Sequence, residues 1–302
     1  MRNIFLDDRT ALDIDAKVAR IHQDLRHPTG RIELAEVREL LKLDLRYYSI
    51  EDPNLLQEVV HKLKLGARDI VRQPGRLIQA IKQFALKALF LPDRRRILID
   101  ATLPDLKKRW SEGHEILHSA IPWHADYMLG DDKLTLSPAC HEQIEAEANY
   151  GTGRMLFPSD PFREMVGSAP LKLSHVRAIA GHFGNTITTT LWRVVENGEG
   201  ILFGMIGGHP YHPKPGEPDV AYFVRSRAFA RQFGSVSEPE LFELLRGYCY
   251  RRKSGPLGEM EVMLRDTTGA EHIFLMESFS NSHNALTLGI YRRPHVVAVA
   301  GF

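Results

Sequence analysis

The sequence predicts an α+β protein in which a mainly helical first half precedes a strand-rich last third. Three observations predict it. Apolar residues recur at helical spacing through much of the chain up to residue 196, as at Leu34, Val37, Leu40 and Leu41. From Gly198 the period shortens to that of strands, in short apolar runs separated by turn residues. A hydrophobic content of 43% and a charged content of 25% are ordinary for a globular chain, and 302 residues are enough for two or three domains.

Taken in order, residues 11–26 and 32–43 read as short amphipathic helices around the turn signal His27-Pro28-Thr29-Gly30. Residues 45–50 read as a strand, and 54–64 and 76–86 carry a helical period. The apolar runs 88–91 and 97–100 flank a polar turn at Pro92 and Asp93, which suggests a β-hairpin. Pro104 opens a helix to about Ala120, since a missing N–H is harmless in a first turn, and Pro122 stops it. A polar loop at 130–133 leads to a second helix from Ser137-Pro138 to about Phe157. Residues 158–170 read as a linker with a short helical turn. Helices follow at 174–182 and 186–196. Strands are expected at 201–206, 220–224, 261–264, 273–277, 286–291 and 296–299, with one helix at about 238–250. The organisation expected is a domain over 1–165, a helical or helix-turn-helix-like segment over 166–197, and an α+β domain over 198–302.

Composition removes several function classes. A net charge of +1 gives no global attraction to nucleic acid or to a membrane. The runs Arg94-Arg95-Arg96, Arg251-Arg252-Lys253 and Arg292-Arg293 read as solvated turns or strand ends. Two cysteines, Cys140 and Cys249, are too few and too far apart for a disulfide framework. The first residues lack the apolar core of a secretory signal, and no run approaches 18 apolar residues. The expected location is the cytoplasm.

The chemistry concentrates at His114-Glu115-Ile116-Leu117-His118, an H-E-x-x-H pattern inside a predicted helix. Side chains four apart share a helix face, so the two imidazoles can hold one zinc ion. The glutamate between them is placed to take a proton from an attacking water. A chance match has odds of about one in twenty at this histidine content, so the neighbours must decide. A catalytic zinc site has three protein ligands and one open position. The following helix carries Glu142, Glu145 and Glu147. Glu145 is the expected third ligand because Asn149 lies one turn beyond it, where an amide can hold a ligand histidine. Glu142 and Glu147 are expected on a solvated face.

The stretch Arg109 to His118, with Glu145-Ala146-Glu147-Ala148-Asn149 and Met155-Leu156-Phe157-Pro158, resembles the ImmA/IrrE family of zinc metallopeptidases. The short run Ile97-Leu98-Ile99-Asp100 is similar to that family's strand before the active helix. The resemblance covers about residues 33–165. It implies a mainly helical, zincin-like domain with a small sheet, with His114, His118 and Glu145 as ligands to one Zn2+ and Glu115 as general base. It also implies a C-terminal domain, sensor-like and GAF-like in some members. The implied substrate is a protein, a helix-turn-helix transcriptional repressor in a stress, phage or mobile-element switch. Two departures stand out. Leu117 occupies a position where the family often has Gly, and Gly151-Thr152-Gly153 stands where it usually has a Phe-Ala-Ala-like stretch.

The expected chemistry is metal-assisted peptide hydrolysis, which also needs a donor for the oxyanion. Tyr150, His141 and His124 are the candidates. The pair 174–182 and 186–196 has helix-turn-helix length, but Lys172, Arg177 and Arg193 are a thin charge supply for phosphates, so DNA contact through 172–196 is disfavoured. His209-Pro210-Tyr211-His212-Pro213 lacks a third ligand and reads as a rigid surface loop. A non-catalytic regulator and a toxin-antitoxin component that binds through the same fold are the competing readings.

Overall fold

The structure is a computed structural model and describes residues 2–48, 88–91, 95–124 and 138–295. The expected helices at 54–64 and 76–86, the loop at 130–133 and the strand at 296–299 lie outside them. The chain is a mixed α+β protein that divides into two compact units. One comprises Leu6–Phe162 with His182–Asn185. The other comprises Met1–Phe5, Arg163–Gly181 and Thr186–Phe302.

The first unit begins with helix α1 (Asp8–Asp24), capped by the Asp7 side chain on the Thr10 N–H, and α2 (Leu34–Leu40). Strands β1 (Asp44–Tyr48), β2 (Ala88–Leu91) and β3 (Arg96–Asp100) form a sheet of order β1-β3-β2. β2 and β3 are antiparallel, as the hairpin pattern predicts. β1 lies parallel to β3, a pairing between distant segments that local pattern does not announce. The central strand buries Ile97, Leu98 and Ile99. Helix α3 (Asp105–Ala120) packs on β2 and β3, with Pro104 at its N-cap. Helix α4 (Pro138–Leu156) lies against both α1 and α3.

Each helix offers a glycine at the α3–α4 contact. A methyl at Gly113 would sit 3.2 Å from Thr152 Cγ2, and one at Gly151 would sit 2.7 Å from Leu117 Cδ1 and 3.0 Å from Ile14 Cγ2. Leu117 therefore fills the notch left by Gly151. Leu117 and Gly151 are thus the two halves of one contact. Thr152 completes this stretch by donating its hydroxyl to the Ala148 carbonyl one turn back.

The second unit is built on a five-stranded antiparallel sheet of order β5-β4-β8-β7-β6. Its strands are β4 (Leu202–Gly207), β5 (Tyr222–Arg225), β6 (Gly255–Arg265), β7 (Glu271–Ser280) and β8 (Ala285–Pro294). The last three are longer than the sequence runs suggest, because ladder pairing carries the strands past their apolar centres. Before the sheet come α5 (Ser159–Gly167), α6 (Leu173–Phe183) and α7 (Ile187–Glu196). α5 is a nine-residue helix where a linker with one turn was expected. A short helix, α8 (Arg227–Gln232), was not anticipated; Ser226 caps it. With α9 (Glu238–Tyr248) it supplies Phe229, Phe233, Leu241, Phe242 and Leu245 to a core with Phe203, Phe274 and Met276 of the sheet.

The N-terminal residues join this unit. Asn3 exchanges side-chain hydrogen bonds with the backbone of Arg225, and Arg2 pairs with Glu238 at 2.6 Å. Helix α7 has no exposed residue: Leu191 and Val195 pack over Gly204 of β4, and Arg193, 2% exposed, is paired with Glu196. A recognition helix needs side chains free to enter a groove. In α7 no side chain stands fully clear of its surroundings, and the buried Arg193 is held by Glu196. His209 and His212 each donate Nε2–H to a backbone carbonyl, of Arg252 and Arg251, at 2.8 and 2.7 Å. The His209 loop is a clamp on that segment, and His209 is buried where a surface position was expected.

Gly151→Ala should cost about 1–3 kcal/mol, since overpacking forces the neighbours to shift. In a Leu117→Ala background the same change should cost clearly less, because only the 3.0 Å approach to Ile14 Cγ2 remains and alanine favours the helix by about 1 kcal/mol. Chemical denaturation of the four proteins measures this coupling. An equal cost in both backgrounds would show that Leu117 does not set the crossing.

Candidate metal centre

His114 and His118 project from one face of α3 because they are one turn apart. Glu145 reaches them from α4, which the Gly113 and Gly151 contacts hold close. His114 Nε2 lies 3.0 Å from His118 Nε2 and 3.2 Å from a Glu145 carboxylate oxygen. The other Glu145 oxygen is 3.5 Å from His118 Nε2. A tetrahedral ion with nitrogen and oxygen ligands at about 2.1 Å spaces them about 3.4 Å apart. The three separations match three edges of such a tetrahedron, so the donor set fits zinc. Among the described residues it is the single group of three or more His, Cys, Asp or Glu side chains that converge this way. The His209 and His212 pair does not form a second.

Each histidine is oriented from behind. His114 Nδ1 faces Asn149 Oδ1 at 3.1 Å, the role expected for that amide. His118, 1% exposed, has Nδ1 3.0 Å from His124 Nδ1. His124 Nε2 is in turn 3.0 Å from Glu147 Oε2. The same oxygen accepts from Trp123 Nε1 at 2.6 Å, and the other accepts from Gln143 Nε2 at 2.8 Å.

Two expectations are corrected by this arrangement. Glu147 is not on a solvated face: it is 5% exposed and holds three donors. His124 is 0% exposed, and both its ring nitrogens are engaged, so it has no N–H to offer an oxyanion. Tyr150 is also committed elsewhere. Its hydroxyl donates to Asp15 of α1 at 3.1 Å, beside the Arg154 guanidinium on the same carboxylate at 2.6 Å. The side chain of His141 lies outside the described part of the structure. The sequence signal for the missed residues was present but faint: Gln143 and Glu147 are one turn apart, and Trp123-His124 follows the helix-stopping proline.

Glu115 is buried on α3, beside a ligand. The sheet end next to it bears Tyr48, paired in register with Asp100. Burial, with the charges of Asp100 and Glu115, pushes the Tyr48 phenol up to about 12, which keeps it a neutral O–H. The ligands themselves divide. Burial acts to lower His114, but its hydrogen bond to Glu145 and the charges of Glu115 and Glu145 outweigh burial and raise its pKa. Burial pushes His118 down to about 4 against the pull of Glu145, with His114 and His124 adding to the descent. Glu145 is itself buried, which acts to raise it, yet the neighbouring His114 and His118 hold it well below the usual carboxylate range.

The fold and the site thus define an α+β protein carrying a two-histidine, one-glutamate candidate metal centre. No protein-family model and no curated protein sequence matches the chain. Among solved structures it is similar to a Mycobacterium tuberculosis transcriptional regulator, with a TM-score of 0.55 and 14% identity, over 94% of this chain and 78% of that one. A likeness at that identity concerns the fold.

Purified protein should bind one zinc ion per chain, and His114→Ala, His118→Ala and Glu145→Ala should each lose it, as metal analysis would show. Equal metal in the wild type and in all three variants would reject the site. Because the surroundings of His114 raise its pKa in the metal-free site, ion binding should release protons from it. The number of protons released per ion should fall as pH rises through the His114 pKa. Calorimetry in buffers of different ionisation enthalpy reads this number; a release that does not fall with pH would contradict it.

Proposed function

We propose that the protein is a zinc-dependent, site-specific endopeptidase of the ImmA/IrrE kind, with a zincin-like first unit. The observation that carries this reading is the convergence of three ligand atoms beside a buried carboxylate, Glu115, that is not one of them. A purely structural site has no use for such a base. His114, His118 and Glu145 would hold the ion, leaving a coordination position open. Bound there, zinc supplies a Lewis acid that polarises a carbonyl and makes water more acidic. Glu115 takes the proton from the attacking water and passes it to the leaving amine nitrogen. Asn149 and the His124–Glu147 pair hold the ligand rings in place.

The resemblance of residues 33–165 points to a helix-turn-helix transcriptional repressor as substrate, in a stress, phage or mobile-element switch. The second unit, with its five-stranded sheet, then serves as a GAF-like sensor or as a substrate-docking domain. The buried α7 and its paired Arg193 favour a protein partner over direct nucleic-acid contact. The competing reading is a regulator that binds its partner without cutting it, alone or as a toxin-antitoxin component. The structure the chain resembles in fold is named a transcriptional regulator.

Cleavage separates the two. Incubated with a candidate repressor encoded beside it, the wild type should give zinc-dependent scission at a single site, read by intact-mass spectrometry. Glu115→Gln should keep the metal and lose turnover by about 100- to 10,000-fold. Turnover retained in that variant would sink the mechanism, and tight binding with no scission by the wild type would favour the regulator.

A further inference from the structure

The row of contacts behind His118 has a direction that its chemistry fixes. Glu147 carries an acceptor-only carboxylate when ionised, and the indole N–H of Trp123 and the amide of Gln143 already donate to it. His124 Nε2, 3.0 Å from the same carboxylate, must therefore bear a hydrogen. A neutral His124 then has its lone pair on Nδ1. That lone pair faces His118 Nδ1 at 3.0 Å, so the hydrogen between them belongs to His118. A neutral His118 with Nδ1–H has its lone pair on Nε2, the atom that faces His114 and Glu145. For neutral rings no other assignment satisfies every contact in the row.

We infer that Glu147 and His124 form a positioning dyad that locks His118 in the Nδ1–H tautomer, aiming its Nε2 lone pair at the metal position before any ion arrives. Glu147 is the anchor, Trp123 and Gln143 hold the anchor still, and His124 transmits its orientation across the α3–α4 contact. His114 has a simpler support, the neutral Asn149 amide. The two ligand rings are thus backed unequally, with a carboxylate behind one of them at a remove of one imidazole. Partners behind a ligand histidine fix its ring and raise its basicity, and losing one typically costs 10- to 100-fold in metal affinity. The inference rests on the metal-centre reading proposed above and extends it to residues that touch neither ion nor substrate.

Two measurements on the full chain test it. Nitrogen-15 histidine spectra of the metal-free wild type should show His118 as the Nδ1–H tautomer, and His124→Phe should release it to a tautomer mixture. Zinc affinity, from competition with a chromophoric chelator, should fall about 10- to 100-fold in His124→Phe. His124→Gln, whose side-chain oxygen can still accept from His118, should recover most of that loss. Glu147→Gln should weaken binding about tenfold, with the ring still held. Should His124→Phe fail to fold, the two glutamine variants carry the test. An Nε2–H tautomer at His118 in the folded wild type would overturn the dyad, as would affinity within about twofold of wild type in both His124→Phe and Glu147→Gln. If the wild type binds no zinc, the endopeptidase reading falls, and the tautomer in the metal-free protein alone decides the dyad.

Discussion

The close approach of α3 and α4 is the constraint on which the first unit depends. The H-E-x-x-H helix can present two imidazoles by itself, since one turn separates them. It cannot bring up a third ligand. Glu145 reaches His114 and His118 because Gly113 and Gly151 let the two helices come within a methyl group of each other, and because Leu117 fills the notch that Gly151 leaves. Packing at native density tolerates little drift, so this crossing fixes the ligand separations more firmly than the flexible glutamate side chain would. A glycine in a helix interior weakens it by about 1 kcal/mol, and the sequence accepts that loss where the helix meets the site.

A crossing this tight buries polar groups, and each must find a partner or carry a desolvation penalty. The partners form three sets. Glu112 meets Arg38 of α2 at 2.6 Å. Asp15 of α1 holds Tyr150 and Arg154 of α4. Glu147 collects Trp123, His124 and Gln143, and through His124 reaches a ligand. The first two fasten α2 and α1 to the helices of the site, and the third fastens the turn after α3 to α4. The polar residues that look extravagant inside an apolar unit are therefore the fastenings of the helices that carry the ligands.

What the sequence disclosed follows from the range of the interactions involved. His114, His118, Glu145 and Asn149 are set by helical spacing, which is local, and all four meet in the structure. Glu147 and His124 were misread for the opposite reason. Two residues past Glu145, Glu147 points well around the helix from the ligand, and Trp123 and His124, just after Pro122, close that side. The β2–β3 hairpin was legible because its strands are neighbours in sequence, whereas the parallel partner β1 was not. In the second unit the strand centres could be read from their alternation, but the order β5-β4-β8-β7-β6 is a matter of which edges meet. The short α8 escaped because six residues scarcely sample a helical period.

Leu117 and Gly151 bear on the spacing of the candidate metal centre. Taken singly, a leucine before the second histidine and a glycine in the next helix each look like erosion. A bulky side chain would push α4 away, and a glycine would loosen it. Together they cancel, because the leucine occupies the space the glycine vacates. The helix separation that Glu145 requires is thereby kept. The contact also leaves the buried partners behind both histidines intact: Asn149 on one ring, His124 and Glu147 on the other. A fold retained only for binding a partner needs the helices packed, but it does not need three ligand atoms at tetrahedral spacing with both rings held from behind. That surplus of organisation, more than the five-residue motif, is what sets this centre apart from helix packing alone.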